Sequence, residues 1–293
     1  MYKRTQWKLA ALLLVAPALL FGLFLIYPSV QAFYISLFNW RGVSSYKVYV
    51  GLSNYQIALS DSAFLLALRN NLAFVFLGGG TTLIVGFFLA VVLSRKVPGH
   101  MIYRVIYFFP YTLSLACIAV LWVFMYHPTF GAVNSIMRAI GLSSLTRVWL
   151  GDQNTALIAV IAVMVWGAFG FYMMFFLGAI QRIPSDYYDA ARVDGANELQ
   201  MALRVTLPLC WEHIKAGVVI LSIRGLNEFV LVQVMTQGAP AGSTEVVSTY
   251  LYRMGFWYSK FGLATAMAVI LSLVSAGFIL VSQRILLRET IEY

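Results

Sequence analysis

The chain has 293 residues, of which 61% are hydrophobic, 15% aromatic and only 11% charged, against roughly 25% charged in a soluble domain. Twenty Lys and Arg with eleven Asp and Glu cannot solvate the surface of a water-soluble fold of this length, which excludes a soluble enzyme. The net charge of +9 comes without any basic run longer than the pairs Lys3-Arg4 and Arg95-Lys96, each flanking an apolar stretch, so it reads as membrane topology and not as nucleic-acid binding. Cys117 and Cys210 are the two cysteines, and their placement supports neither a disulfide framework nor a Cys metal site.

A membrane helix needs about 20 mostly apolar residues to cover about 30 Å of hydrocarbon. In chain order, crossings are expected at about 9–27, 70–94, 105–126, 154–180, 214–236 and 261–283. The fifth is interrupted by Arg224 and Glu228, which marks it as functional. Lys3, Arg4 and Lys8 before the first apolar run resemble a secretory signal, but an 18-residue core exceeds the 7 to 15 typical of one, and the run is read as a retained helix. With the N-terminus inside, the inner segments hold 12 Lys and Arg in 66 residues and the outer ones 7 in 95. Both termini are therefore expected to be cytoplasmic. The first outer loop, 28–69, with Trp40 and Tyr49 suited to an interface, reads as a cap over helix ends. The whole chain, 1–293, is expected to form one all-α transmembrane domain.

The connector at 181–213 is long and acidic, carrying Asp186, Asp189, Asp194, Glu198 and Glu212. Ser185 is the expected N-cap of a helix running to Val193, and Gly195 supplies a left-handed or closely approached position. A second helix is expected to begin at Asn197, whose side chain caps it while Gln200 reaches back, and Pro208 marks its end or a kink.

The run Asp189-Ala190-Ala191, three residues, Gly195, nine residues, Val205, one residue, Leu207-Pro208 resembles the Glu-Ala-Ala loop of permease subunits from binding-protein-dependent ABC importers. The context Ile183-Pro184, Asp194-Gly195-Ala196 and Thr206-Leu207-Pro208 is similar to the carbohydrate-uptake branch. So are Trp149-Leu150, Val50-Gly51-Leu52 with Asn54-Tyr55, and 236–244 followed by Tyr252. Asp189 stands where the motif has Glu, Val205 where it has Ile, and Gly238-Ala239 where a glycine pair precedes Pro.

The resemblance implies a type I ABC importer permease in a prokaryotic plasma (inner) membrane. Such a subunit pairs with a second, similar permease and two ABC ATPase subunits, and takes a sugar or polyol from an extracytoplasmic binding protein. Asp189, Ala190, Ala191, Asp194, Gly195, Ala196, Leu207 and Pro208 would then form the loop that docks into the ATPase. No Gly-Lys pair occurs at any of the six lysines, so the chain has no phosphate-binding loop of the Gly-x4-Gly-Lys-Ser/Thr type. ATP and Mg are expected on the partner ATPase subunits, with no cofactor, metal or catalytic residue here. His100, His127 and His213 read as helix-end groups, and Gly78-Gly79-Gly80 as a close helix contact or hinge.

Counting nine residues from Lys215 at about 1.5 Å each puts Arg224 roughly 14 Å deep, near the bilayer centre. Arg224, Asn227 and Glu228, with the rings of Trp166 and Tyr172, are the candidate substrate path. Arg224 and Glu228 are four apart, and two readings stay open: an ion pair that supports the helix, or direct contact with cargo. The alternative function is an ion-gradient-driven secondary transporter using the same two charges.

Overall fold

A computed structural model describes residues 13–95 and 97–286. The basic residues Lys3, Arg4, Lys8 and Lys96, the first residues of the expected 9–27 crossing, and 287–293 lie outside the described residues. Five helices are long and apolar enough to cross a membrane: Leu13–Ser36, Ser62–Ser94, Ala156–Ile180, Trp211–Met235 and Phe261–Ile285. Two further helices, His100–Thr112 and Leu115–Met125, are apolar enough together to count as a sixth span if taken as one, and are bent by 98° to each other. Internal contacts group the chain into two compact units, 1–62 with 251–272, and 63–250 with 273–293.

In the first unit, the first crossing runs on past the expected residue 27 to Ser36, and a two-stranded antiparallel ribbon follows, pairing Phe38 with Tyr49 and Asn39 with Val48. The loop expected as a cap is thus a ribbon plus the helix Ser53–Ser60. Buried Asn54 explains why it holds together: its Nδ2 donates to Ser36 O at 2.8 Å and Phe38 O at 3.0 Å, satisfying carbonyls where helix gives way to strand. Lys47 Nζ lies 4.6 Å from the Trp40 ring centroid, a cation–π contact. Gly262 admits the ribbon closely, since a Cβ there would meet Phe38 O at 1.8 Å.

In the second unit, the fourth crossing is the most enclosed span, with 56% of its most apolar stretch buried against 0% for the first crossing. Small residues let its neighbours approach. A Cβ on Gly86 of the second crossing would meet Tyr172 Cβ at 2.9 Å, and one on Gly170 would meet Tyr107 O at 1.8 Å. Gly78 and Gly79 sit against Met164 and Leu221 within a wide-turn segment, Phe74–Gly79, whereas a Cβ at Gly80 would meet nothing within 4 Å, so two of the three glycines make a close helix contact.

Three more of the expected spans differ in outline. The second begins at Ser62 and carries Arg69 inside the helix, because a charge at the membrane boundary does not end the backbone ladder. The third is not continuous over 105–126: Pro110 has no N–H to donate to the preceding turn, the first helix stops at Thr112, and Leu113 and Ser114 are extended. The fifth breaks between Leu226 and Val230.

Gly170→Ala tests the packing. Adding its methyl group is expected to cost about 1–3 kcal/mol by overpacking and to lower the melting temperature of the purified protein. Gly178→Ala, where nothing lies within 4 Å, should leave it unchanged or raise it; equal behaviour of the two would refute this helix contact.

Candidate functional site

The 181–213 connector is a hairpin of two helical arms. The first, Ser185–Val193, begins after Pro184, which takes the N-cap position; Ser185 is the first helical residue and makes no side-chain cap. The extended backbone at Pro184 (ψ 140°) sets the entry, correcting the expected Ser185 cap. The arm closes through Gly195, whose φ of +76° is left-handed. Ala196 N–H donates to Ala191 O at 2.9 Å and Gly195 N–H to Arg192 O at 3.0 Å, the paired closure that a C-terminal glycine permits. A Cβ at Gly195 would meet nothing within 4 Å, so its use within the chain is conformational and not a close approach.

The second arm starts as the sequence indicates. Asn197 Oδ1 accepts from Gln200 N–H at 2.9 Å while Gln200 Oε1 accepts from Asn197 N–H at 2.8 Å. A wide turn over Ala202–Thr206 precedes Pro208, which sits in the first turn of Leu207–Leu209. That extra residue lets the helical path continue past a proline that cannot donate backward. The arms are joined where Tyr188 Oη meets Thr206 Oγ1 at 3.1 Å. Arg95, at the end of the second crossing, pairs with Glu198 at 2.6 Å. Beneath lies a cavity of about 430 Å3 lined by Arg95, Gln181, Ser185, Tyr188, Arg192 and Thr206 among others.

Asp189, Ala190, Asp194 and Gly195 are exposed, Ala191, Ala196, Leu207 and Pro208 half-buried. Asp189 Oδ1 accepts from Arg192 Nη1 at 2.7 Å, an exposed pair worth about 0–1 kcal/mol at most. Around the left-handed turn the exposed Asp189, Ala190 and Gly195 carry short side chains, beside the exposed apolar Val193, Leu199 and Leu203.

The candidate path residues are placed less compactly. Arg224 is half-buried in the last turn of Trp211–Leu226. Asn227 is exposed and donates to Ile223 O at 2.8 Å. Glu228 is 3% exposed, and its Oε1 accepts from Leu231 N–H at 3.1 Å. Arg95–Glu198, Arg192–Asp189 and Lys215–Glu212 pair within 4.0 Å, but no such contact joins Arg224 to Glu228 among the described residues. Glu228 instead caps the helix after the break. Trp166 packs edge-on to Trp122 at 5.5 Å, whereas buried Tyr172 contacts Phe171 and Phe175; the two rings serve different neighbours.

Asn70, Asn71 and the Glu245–Thr249 pair were not anticipated from the sequence. Asn70 Nδ2 donates to Ser243 O and Glu245 O at 3.0 and 2.8 Å. Asn71 Nδ2 donates to Gly225 O and Leu226 O at 3.0 and 2.8 Å, and its Oδ1 accepts from Val247 N–H at 2.9 Å. The available signal was two adjacent amides at the mouth of an apolar run.

Five apolar spans and a bent helix pair, with a break in the span Trp211–Met235 and an ordered hairpin between spans, define a polytopic membrane permease. Residues 82–290 match the family described as binding-protein-dependent transport system inner membrane component. The chain is 34% identical over 281 residues to the probable ABC transporter permease protein YurN of Bacillus subtilis, covering 95% of this chain and 96% of that one. It is 36% identical over 273 residues to the diacetylchitobiose uptake system permease protein NgcF of Streptomyces coelicolor, covering 89% and 77%. Its fold matches a chain of a bacterial alginate ABC transporter in complex with alginate pentasaccharide-bound periplasmic protein, at a TM-score of 0.77 and 23% identity, covering 96% and 94%. The chain belongs to this family of ABC transporter permeases and is a multi-pass inner-membrane component.

Cys210, between the hairpin and the fifth crossing, is fully buried, and burial pushes its thiol up to about 11. Because only the thiolate reacts, far less of it is nucleophilic at pH 8 than of an ordinary cysteine. Maleimide at pH 8 should leave Cys210 unmodified in the folded protein and modify it after denaturation. Rapid labelling of the folded form would show that the base of the hairpin is open.

Proposed function

We propose that this chain is one of two similar permease subunits of an importer. It would pass a sugar or related polyol inward from an extracytoplasmic binding protein, while ATP and Mg are bound by two separate ATPase subunits that dock on the 181–213 hairpin. The observation that carries this reading is the hairpin. Its turn is fixed by Gly195, its second arm by reciprocal caps, and its outer face is short enough at Asp189, Ala190 and Gly195 for another protein's backbone to come close. A coupling element must transmit a push, and a hairpin ordered before docking loses little of it to flexing. The sugar class is supported by the diacetylchitobiose permease at 36% identity.

In this reading the path runs beside the break in the fifth crossing. Asn227 is exposed there and Arg224 half-buried, with Glu228 behind them, and donors and acceptors at the membrane midplane suit a hydroxyl-rich cargo. Half-buried Trp166 would supply an aromatic face, while Tyr172, buried in the core, would support the wall behind it. Both termini face the cytoplasm, on the distribution of Lys and Arg.

Reconstitution tests the energy source. Uptake should require ATP, the ATPase subunits and a binding protein; uptake driven by a proton gradient alone would establish the secondary-transporter alternative. Gly195→Trp should lower uptake by about 5- to 150-fold, the range of ordinary coupling energies, with unchanged protein level, and full activity would remove the hairpin from coupling. Cysteines placed at Ser45, Ser143 and Ser243 should label from outside and one at Ser185 only from inside. The opposite result at two of these sites would reverse the topology.

A further inference from the structure

The fifth crossing does not simply pause at 227–229. Its backbone leaves the helix after Leu226, forms the short helix Val230–Met235, turns through 236–246 and re-enters a helix at Val247. Both ends of this twenty-residue excursion rest on one side chain. The Asn71 amide donates to Gly225 O and Leu226 O at the departure and accepts from Val247 N–H at the return. Asn71 is fully buried and its neighbour Asn70, which holds Ser243 O and Glu245 O, is 4% exposed. The departure point is pressed against the second crossing, since a Cβ on Gly225 would stand 2.9 Å from Val75 N.

The excursion is also braced internally. Thr236 Oγ1 and Thr244 Oγ1 are 2.8 Å apart, closing the loop across its base, and Thr244 Oγ1 donates to Ala239 O at 2.8 Å. Four residues within it, Gln237, Gly238, Ala241 and Gly242, hold positive φ, so its shape is set residue by residue. Glu228 caps Leu231 N–H inside the same excursion. A segment that is stiff inside and held at both ends by one side chain moves as one body, with Asn70 and the packing of Leu231 and Val232 as further holds on it.

We propose that Asn71, seconded by Asn70, is the neck on which residues 227–246 pivot as one rigid body, so that a displacement of the 236–246 loop is delivered to Asn227 and Glu228. This rests on the reading that those residues border the transport path. Asn71 is a positioning residue here: it touches no cargo and fixes the segment that does. Leaving three backbone groups without partners in a membrane interior costs several kcal/mol, so losing the neck loosens both ends together.

The test uses the fully assembled transporter. In Asn71→Ala, amide hydrogen exchange should accelerate by a similar factor over 225–232 and over 245–250, whereas Asn70→Ala should loosen 243–247 alone. The ratio of binding-protein-stimulated to basal ATP hydrolysis should fall about 5-fold or more in Asn71→Ala. That ratio counts signal per folded transporter, which a role confined to stability leaves unchanged. Loosening at only one end of the excursion overturns the rigid body, and an unchanged ratio with both ends loosened overturns the coupling. If Asn71→Ala does not assemble, Asn71→Asp keeps the acceptor for Val247 N–H and loses the two donors. It should loosen 225–232 and spare 247; any other exchange pattern refutes the neck. The exchange result is independent of cargo and energy source, so it stands or falls separately from the assignment of function.

Discussion

A broken helix inside a bilayer has no water to take up its freed carbonyls, so every break must be satisfied by protein. At Gly225 and Leu226 that demand is met by the Asn71 amide, and much of the surrounding packing follows from it. The amide reaches only if the second and fifth crossings touch, and they touch because Gly225 stands against Val75 and Gly79 against Leu221. The wide turn at Phe74–Gly79 falls at this same contact. On the other side, the fourth crossing closes on the second through Gly86 and on the third through Gly170. Three tight helix contacts thus hold these spans together, and the polar cluster is what allows the fifth crossing to be discontinuous.

The hairpin outside the membrane is ordered by a different economy. Its two ion pairs, Arg192–Asp189 and Arg95–Glu198, are at least 42% exposed on each side chain and contribute little against water. Its shape comes from local backbone chemistry: the left-handed Gly195, the reciprocal Asn197 and Gln200 caps, and the wide turn that carries the chain past Pro208. Caps of this kind are worth about 0.5–2 kcal/mol each. They are insensitive to salt in a way that surface charge pairs are not.

These local devices were legible in the sequence because they depend on residues close together in it. Asn197 three before Gln200, and Gly195 just past a helical run, can be read without knowing anything else. The spans were legible for the same reason, since apolar length is a local property. The 98° bend had a visible cause in Pro110, but the sequence does not say whether a proline kinks a span or splits it; the extended Leu113 and Ser114 decide that. The break at 227–229 has no proline. It depends on Asn71, more than 150 residues away in the chain, and no periodicity joins the two. Of the two readings left open for Arg224 and Glu228, the ion pair rests on a continuous helix: four-residue spacing pairs side chains only while the helix continues, and it stops between them at Leu226.

The first crossing differs from all of this. None of its most apolar stretch is buried by the described chain, and Leu13, Leu19, Phe24 and Tyr27 are each more than half exposed. The free energy of covering that surface comes from lipid or from a neighbouring chain, and is set by their concentration. A melting temperature measured on this protein is therefore a property of the mixture, varying with detergent and with bound partners. Substitutions along Leu13–Ser36 would register in assembly and extraction before they register in the fold.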